Sequence, residues 1–254
     1  MSWFLYLIAT IVLLVTACSS NPQPVTAKLP TTVSSDTRAA ALYPLNCNSS
    51  EAEAAASNAP RLELGDTTFY TGATQLSSTN QDPRLLRFDA GKLSWCRDDL
   101  ETSSDDGRGY GLLWNGKDSL YAVFSATGTQ GEPSGDFRRF AVRGWLKSYA
   151  DASWGGGGAK VSILAKLDPA TGDILAATYL TAVRPSDQKI NSLTVTDLRF
   201  KNDTLTVSAD AFYSPRQTNK EPFNCSGTSP FAYQIVFNAD LSKALRASAE
   251  GCNP

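Results

Sequence analysis

The chain has 254 residues, of which 42% are hydrophobic and 19% are charged, and its formal net charge is −2. This composition is typical of a soluble globular domain, and the near-neutral charge argues against a nucleic-acid partner, which favours a basic surface. The sequence contains no histidine, so it lacks the commonest general base and the commonest metal ligand. A catalytic site would therefore depend on carboxylates, Tyr, Lys or Arg.

The chain begins with an uncharged apolar stretch, residues 1–17, which is typical of an export signal. Val15-Thr16-Ala17-Cys18 resembles a bacterial lipobox, which makes Cys18 the predicted lipidation site and first residue of the mature chain. Ser19 resembles the sorting signal of an outer-membrane lipoprotein that faces the periplasm or the cell surface. A plain signal peptide and a transmembrane anchor are alternatives, because the apolar run is about long enough to reach a membrane core and its start lacks Lys and Arg, which is atypical of signals.

Residues 18–40 are rich in Ser, Thr and Pro, which predicts a flexible tether. Residues 41–254 are then expected to form a single domain. Near its start, Ser50 and Glu53 have the spacing of a capping box. This spacing predicts a short helix at Glu51–Ser57, with a polar loop as the alternative.

From Arg61 onward, runs of strand-forming residues alternate with turn formers. The predicted strand pairs are Arg61–Leu64 with Thr67–Thr74, the hairpin Arg84–Cys96, Gly109–Trp114 with Ser119–Thr127, the hairpin Val161–Leu180, Ser192–Phe200 with Thr204–Phe212, and the hairpin Ala232–Gly251. Both faces of Leu120–Phe124 are apolar, so we expect that strand to be covered on both sides. The sequence therefore predicts an all-β fold of three four-stranded antiparallel units, at about 61–97, 109–181 and 192–252.

Two residue patterns resemble the bacterial β-propeller repeat of the SBBP type. Leu164-Ala165-Lys166-Leu167-Asp168-Pro169 is similar to the turn of that repeat, and Gly109-Tyr110-Gly111 is similar to the opening of its next unit. The resemblance implies a propeller-like fold in a secreted or surface protein, and it carries no catalytic residues. Closed propellers usually have about four to eight blades. Three units would therefore stay open, or be completed by N-terminal strands or a partner chain.

Four cysteines follow Cys18, which predicts two disulfides in an exported protein. In the propeller-like layout, the strands of each unit alternate in direction. The start of the first strand, the loop between the second and third strands and the end of the fourth strand therefore lie on the same side of the unit. This layout pairs Cys47 with Cys96 and Cys225 with Cys252, and a bridge between Cys47 and Cys252 is the main alternative. We expect no cofactor and no metal site, because the cysteine spacings are wide and histidine is missing.

The long interruption at Gly128–Ala159 is the predicted functional region, because long loops in compact domains often carry function. Aromatic residues recur in it at roughly helical spacing with basic residues between them, a pattern that favours a basic amphipathic segment. The candidate binding residues are Phe137, Arg138, Arg139, Phe140, Arg143, Trp145 and Lys147. Alternatively, the aromatic rings pack into the core of the domain beneath the loop, or the segment lies on an anionic membrane surface.

These features favour a lipid-anchored envelope protein that binds a protein or glycan partner through its long loops, rather than an enzyme. One alternative is a carbohydrate-active enzyme with paired carboxylates, and another is a structural envelope spacer. The candidate carboxylates of such an enzyme are Asp98, Asp99, Glu101, Asp105 and Asp106. The same cluster could instead bind Ca²⁺ through its oxygen atoms or form an acidic, solvated turn.

Overall fold

The structure, a computed structural model, describes residues 43–78, 80–103, 106–127, 132–149 and 161–254. The predicted signal peptide (1–17), the predicted tether (18–40) and the predicted lipidation site at Cys18 lie outside these residues. Within the described ranges, no helix is both long enough and apolar enough to cross a membrane.

A short helix, α1 (Glu51–Ala56), opens the described part of the domain. The Ser50 side chain accepts a hydrogen bond from the backbone N–H of Glu53. In return, the Glu53 carboxylate accepts one from the backbone N–H of Ser50 at 2.8 Å. This reciprocal pair satisfies backbone donors that the start of a helix leaves open. The predicted capping box and helix are therefore confirmed.

Strands make up most of the other described residues. They are β1 (Arg61–Leu64), β2 (Thr67–Ser77), β3 (Asn80–Asp89), β4 (Lys92–Arg97), β5 (Gly107–Trp114), β6 (Leu120–Ala126), β7 (Val161–Leu167), β8 (Ile174–Leu180), β9 (Ala182–Val183), β10 (Ile190–Asn191), β11 (Leu193–Lys201), β12 (Thr204–Ala211), β13 (Ser214–Pro215), β14 (Asn224–Cys225), β15 (Phe231–Asn238), β16 (Ala244–Ala249) and β17 (Cys252–Asn253). Pro133–Gly135 and Phe137–Arg139 form two short 3-10 turns in the loop between β6 and β7.

Three antiparallel sheets of four strands each form the framework. Sheet I has the strand order β1-β2-β3-β4, sheet II has β5-β6-β7-β8, and sheet III has β11-β12-β15-β16. The all-β class and the three predicted four-stranded units are therefore confirmed. Two smaller sheets, β10-β9-β13 and β14-β17, were not predicted, because strands of two residues leave no periodic pattern in a sequence.

Sheet II lies between sheets I and III, and every residue of its strand β6 is buried. One apolar cluster joins sheets I and II and includes Phe69, Leu85, Phe124, Ile163 and Leu167. A second cluster includes Tyr121, Leu164, Leu205, Val207 and Phe237 of sheets II and III, and it continues to Tyr70, Leu86 and Phe88 of sheet I. The prediction that β6 is covered on both faces is confirmed, and it explains why its sequence is apolar throughout.

Polar contacts also hold sheet II against its two neighbours. On one side, Arg87 of β3 donates a hydrogen bond to the carbonyl oxygen of Pro169, in the β7–β8 turn, at 2.8 Å. On the other side, the buried Ser162 hydroxyl contacts the Tyr110 hydroxyl at 2.7 Å and donates to the carbonyl oxygen of Leu193, in β11, at 2.6 Å. Fully satisfied buried networks of this kind fix the relative position of packed elements.

The two outer faces of the three-sheet stack differ in character. Beside sheet I, the backbone N–H of Leu45 donates to the carbonyl oxygen of Ala73 at 2.9 Å, so the N-terminal segment extends that sheet. On sheet III, every second residue of β12 is polar and only partly buried: Thr204, Thr206, Ser208 and Asp210. A further blade would need an apolar face to pack against. The propeller-like arrangement, whether open or completed by N-terminal strands or a partner chain, stays a prediction.

Both predicted disulfides form. Cys47, in the segment before α1, is bonded to Cys96 of β4. Cys225 of β14 is bonded to Cys252 of β17, and the two residues face each other across that small sheet. The alternative bridge between Cys47 and Cys252 is therefore wrong.

Candidate functional site

The loop between β6 and β7, which we call the β6–β7 loop, is described at residues 132–149. In its described residues the loop forms two 3-10 turns, Pro133–Gly135 and Phe137–Arg139. Its buried apolar side chains recur every four positions: Phe137, Ala141, Trp145 and Tyr149. This period is close to the helical one, but the described residues of the loop contain no α-helix.

Three rings of the loop anchor it to sheets II and III. The Phe137 ring lies 4.9 Å from the Phe124 ring of β6, and the Tyr149 ring lies 5.2 Å from the Tyr179 ring of β8. The Trp145 ring lies 5.6 Å from the ring of Phe237, in β15. Phe137 and Trp145 were predicted as binding residues, and the structure places both in the core.

The same loop covers the outer strand of sheet II. The backbone N–H of Tyr179, in β8, donates to the carbonyl oxygen of Leu146 at 3.1 Å. Gly144 lies so close to β8 that a Cβ at its position would overlap the carbonyl oxygen of Ala177. The backbone N–H of Trp145 donates to the carbonyl oxygen of Leu241 at 2.9 Å, which also ties the loop to sheet III. The loop therefore bridges two sheets at a fixed position.

Two of the predicted binding arginines serve the loop itself. Arg138 Nε lies 2.8 Å from an oxygen of the buried Asp136 carboxylate. Arg139 donates to the carbonyl oxygens of Ser134 and Asp136, and its guanidinium lies 4.3 Å from the centre of the Phe140 ring. Burial lowers the pKa of Arg139. Both side chains are therefore held in place before any partner binds.

The loop between β4 and β5, which carries the five candidate carboxylates and which we call the acidic loop, is attached to the β6–β7 loop. The backbone N–H of Thr102 donates to the carbonyl oxygen of Gly135 at 2.7 Å, which brings the neighbouring carboxylates Glu101 and Asp136 into adjacent loops. Only 1% of Glu101 and 3% of Asp136 is exposed. Asp99 is also bound, since Arg97 Nε lies 2.7 Å from its carboxylate.

The acidic loop therefore has a structural role that a solvated turn would not have. Of its predicted carboxylates, Asp105 lies outside the described residues. In the part of the chain that the structure describes, no group of three or more His, Cys, Asp or Glu side chains is placed to hold a metal ion.

A cleft of about 570 Å³ lies where the β6–β7 loop meets the ends of sheets II and III, and we call it the basic cleft. This volume is in the range of small-ligand pockets, roughly 300–1,000 Å³. Its lining residues are Arg139, Phe140, Val142, Arg143 and Gly144 from the loop, Lys166, Ile174, Leu175 and Ala176 from sheet II, and Asp240 and Ser242 from the β15–β16 turn.

Charge and apolar surface coincide in the basic cleft. Three cations, from Arg139, Arg143 and Lys166, face one carboxylate, that of Asp240. Hydrogen bonding from Ser242, aided by the charge of Lys166, lowers the pKa of Asp240, which keeps that carboxylate ionised. Arg143 is exposed and has no ion-pair partner among the described residues. The net charge of the lining is therefore positive.

Two apolar side chains at this cleft are exposed to solvent. Val142 is 65% exposed and Leu175 is 54% exposed. Single exposed apolar residues are ordinary on a protein surface, but a pair beside unneutralised cations is typical of a binding site. The cleft therefore offers contacts to a ligand that is both acidic and partly apolar.

The structure divides the seven predicted binding residues into three groups. Arg139, Phe140 and Arg143 line the basic cleft, Phe137, Arg138 and Trp145 stabilise the loop, and Lys147 is exposed outside the lining. Sequence reasoning missed Val142, Lys166, Leu175 and Asp240. Lys166 lies in β7, directly after the loop, Leu175 lies in β8, and Asp240 lies in the β15–β16 turn. The packing of the loop on sheet II, and of sheet II on sheet III, brings them together.

No protein-family model matches the chain, and no curated protein matches it at a significant level. The resemblance to the bacterial β-propeller repeat therefore stays a prediction. The case for a function depends on the geometry of this chain alone.

Proposed function

We propose that the protein is a lipid-anchored envelope protein that binds an acidic, partly apolar segment of a protein partner in the basic cleft. The observation that carries the proposal is the juxtaposition of exposed Val142 and Leu175 with the cations of Arg143 and Lys166. Apolar side chains supply affinity at such a contact, and complementary charge supplies specificity and speeds association.

The construction of the cleft supports a binding role. One wall is formed by β7 and β8, and the other is a loop held by three buried rings and by backbone hydrogen bonds to β8. A site that is rigid before binding loses less conformational entropy when the partner arrives. The β6–β7 loop therefore acts as a preformed half of the site.

The sequence supports the location of the proposed function. Cys18 in its lipobox-like context would carry the lipid, and residues 18–40 would tether the domain to the outer membrane. The disulfides Cys47–Cys96 and Cys225–Cys252 suit an oxidising envelope compartment. The protein would then present the basic cleft to partners in the periplasm or at the cell surface.

A carbohydrate-active enzyme has weaker support. Glu101 and Asp136 are the two buried carboxylates of adjacent loops, but each has almost no exposed surface through which a sugar could reach it. A glycosidase needs both carboxyl groups beside the scissile bond. No specific observation favours the structural spacer, so the binding role is the one we carry forward.

Charge reversal in the cleft tests the proposal. The full chain is immobilised in detergent and exposed to envelope extract, and captured proteins are identified by mass spectrometry. The double substitution Arg143→Glu and Lys166→Glu should reduce capture of the specific partner at least about tenfold, because two attractive contacts become repulsive. Proteins that the variant no longer captures should contain an acidic segment, and a synthetic peptide of that segment should compete.

The matched control carries the same change in charge elsewhere. Lys147→Glu with Lys201→Glu alters two exposed lysines outside the cleft lining and should leave capture unchanged. Equal thermal melting of both variants would show that the fold is intact. Equal loss of capture in both variants, or none in the cleft variant, would contradict the proposal.

A further inference from the structure

A second cleft, of about 520 Å³, lies on the other long loop of the protein, the β12–β15 loop (212–230). The residues that matter for its chemistry are Asn191, Phe212, Tyr213, Ser214, Ser229 and Phe231. None of its lining residues is Asp, Glu, Lys or Arg, so it differs from the basic cleft in the class of ligand that it suits. We call it the neutral cleft.

Aromatic surface is available in the neutral cleft. The Tyr213 side chain is 39% exposed, and its neighbour Phe212 and the more distant Phe231 are each partly buried. An exposed Tyr presents a flat apolar ring together with a polar hydroxyl. Such a ring suits a ligand that has one apolar face and a polar edge.

The two small sheets and one disulfide hold the β12–β15 loop in place. β14 pairs with β17 and is bonded to it through Cys225–Cys252. The backbone N–H of Phe223 donates to the carbonyl oxygen of Pro215 at 2.8 Å, and the Tyr233 hydroxyl donates to the carbonyl oxygen of Arg216 at 2.6 Å. The neutral cleft is therefore built on a restrained loop, which is the usual setting of a binding site.

We propose that the neutral cleft binds a neutral oligosaccharide, with one pyranose ring stacked on Tyr213 and the sugar hydroxyls facing the uncharged polar groups of the lining. A pyranose has an apolar face of C–H groups and an edge of hydroxyls, which matches a ring beside uncharged hydroxyl and amide groups. The uncharged lining disfavours nucleotides and acidic sugars, which need cations. This site is separate from the basic cleft and does not depend on its function.

Isothermal titration of the full chain in a zwitterionic, sugar-free detergent tests the proposal. The probes are cellohexaose, maltohexaose and the hexamer of N-acetylglucosamine, which separate β-glucan, α-glucan and amino-sugar sources, with an oligogalacturonate as the acidic comparison. We expect at least one neutral probe to bind and the oligogalacturonate not to bind. Tyr213→Ala should weaken that binding about tenfold, and Tyr213→Phe should retain it because the ring remains.

Leu76→Ala, at an exposed position of β2 outside both clefts, is the control and should leave sugar affinity unchanged. Thermal melting of each variant checks folding, and the exposure of Tyr213 limits the effect of its substitution on the fold. The proposal is overturned if no neutral probe binds, if the acidic probe binds equally well, or if Tyr213→Ala binds like the wild type.

Discussion

Asp136 shows how burial and bonding compete at a single residue. Its carboxylate accepts hydrogen bonds from the backbone N–H of Arg138 at 2.7 Å and from Arg138 Nε at 2.8 Å, and both favour the charged form. Burial opposes them and is the larger effect, so the pKa of Asp136 is raised above its ordinary value. The charged form is therefore tolerated in the folded loop, not favoured by it.

This balance predicts a pH dependence of stability. Because the folded pKa of Asp136 is raised, its contribution to the free energy of unfolding is fully present below the ordinary pKa. That contribution is lost as the pH rises through the raised value. We expect the wild type to lose stability relative to Asp136→Asn between about pH 4 and pH 7. Urea denaturation of both proteins across this range measures the difference.

A carboxylate with the opposite shift provides the control. A hydrogen bond from Thr67 lowers the pKa of Asp89, so its contribution is present above the ordinary pKa and is lost as the pH falls. Comparison with Asp89→Asn should therefore give a difference of opposite sign. If the difference in the free energy of unfolding between the wild type and Asp136→Asn stays constant with pH, burial does not shift the pKa of Asp136.

Among the elements, the β6–β7 loop has two tasks at once. It covers β8, an edge strand of sheet II. Without this cover, the backbone N–H and C=O groups of β8 could pair with a strand of another chain. It also forms one wall of the basic cleft through Val142 and Arg143. The contact of the loop with β8 fixes the position of that wall. The geometry of the basic cleft therefore depends on the close approach of Gly144 to β8.

Gly144→Ala tests this dependence. The new methyl group would overlap the carbonyl oxygen of Ala177, and we expect a loss of stability of about 1–3 kcal/mol, the usual cost of overpacking. Gly135→Ala, in the same loop, is the control, because the nearest atom to its Cβ position lies 3.5 Å away, at ordinary contact distance. Urea denaturation measures both. Equal stability of the two variants would mean that the loop does not lie against β8.

The elements that were predicted correctly share strong local signals. Gly65-Asp66 and Asn202-Asp203 mark tight turns at which residues adopt left-handed backbone conformations, and strands follow on both sides. The β6–β7 loop shows what a periodic pattern leaves undetermined. Its buried apolar residues repeat every four positions, close to the helical period, although the described part of the loop forms only 3-10 turns.

At the scale of the whole molecule, sheet II organises the structure. It shares one apolar cluster with sheet I and a second cluster with both sheets I and III, and its β7–β8 turn also contacts sheet I. Sequence patterns predicted the three sheets and both disulfides. They did not predict the basic cleft, because Lys166 and Leu175 meet Arg143 only when the loop packs on sheet II, and Asp240 joins them only when sheets II and III pack together.

The most direct test of the binding role is photo-cross-linking in the native cell. In two test variants, a photoreactive phenylalanine replaces Val142 or Leu175, the two exposed apolar residues of the basic cleft. In the control variant it replaces Leu93, an exposed residue of β4. We predict a covalent adduct with one protein from both cleft positions, none from Leu93, and loss of the adduct when Arg143→Glu and Lys166→Glu are added. Adducts that form equally at Leu93, or that persist after charge reversal, would contradict a partner in the basic cleft.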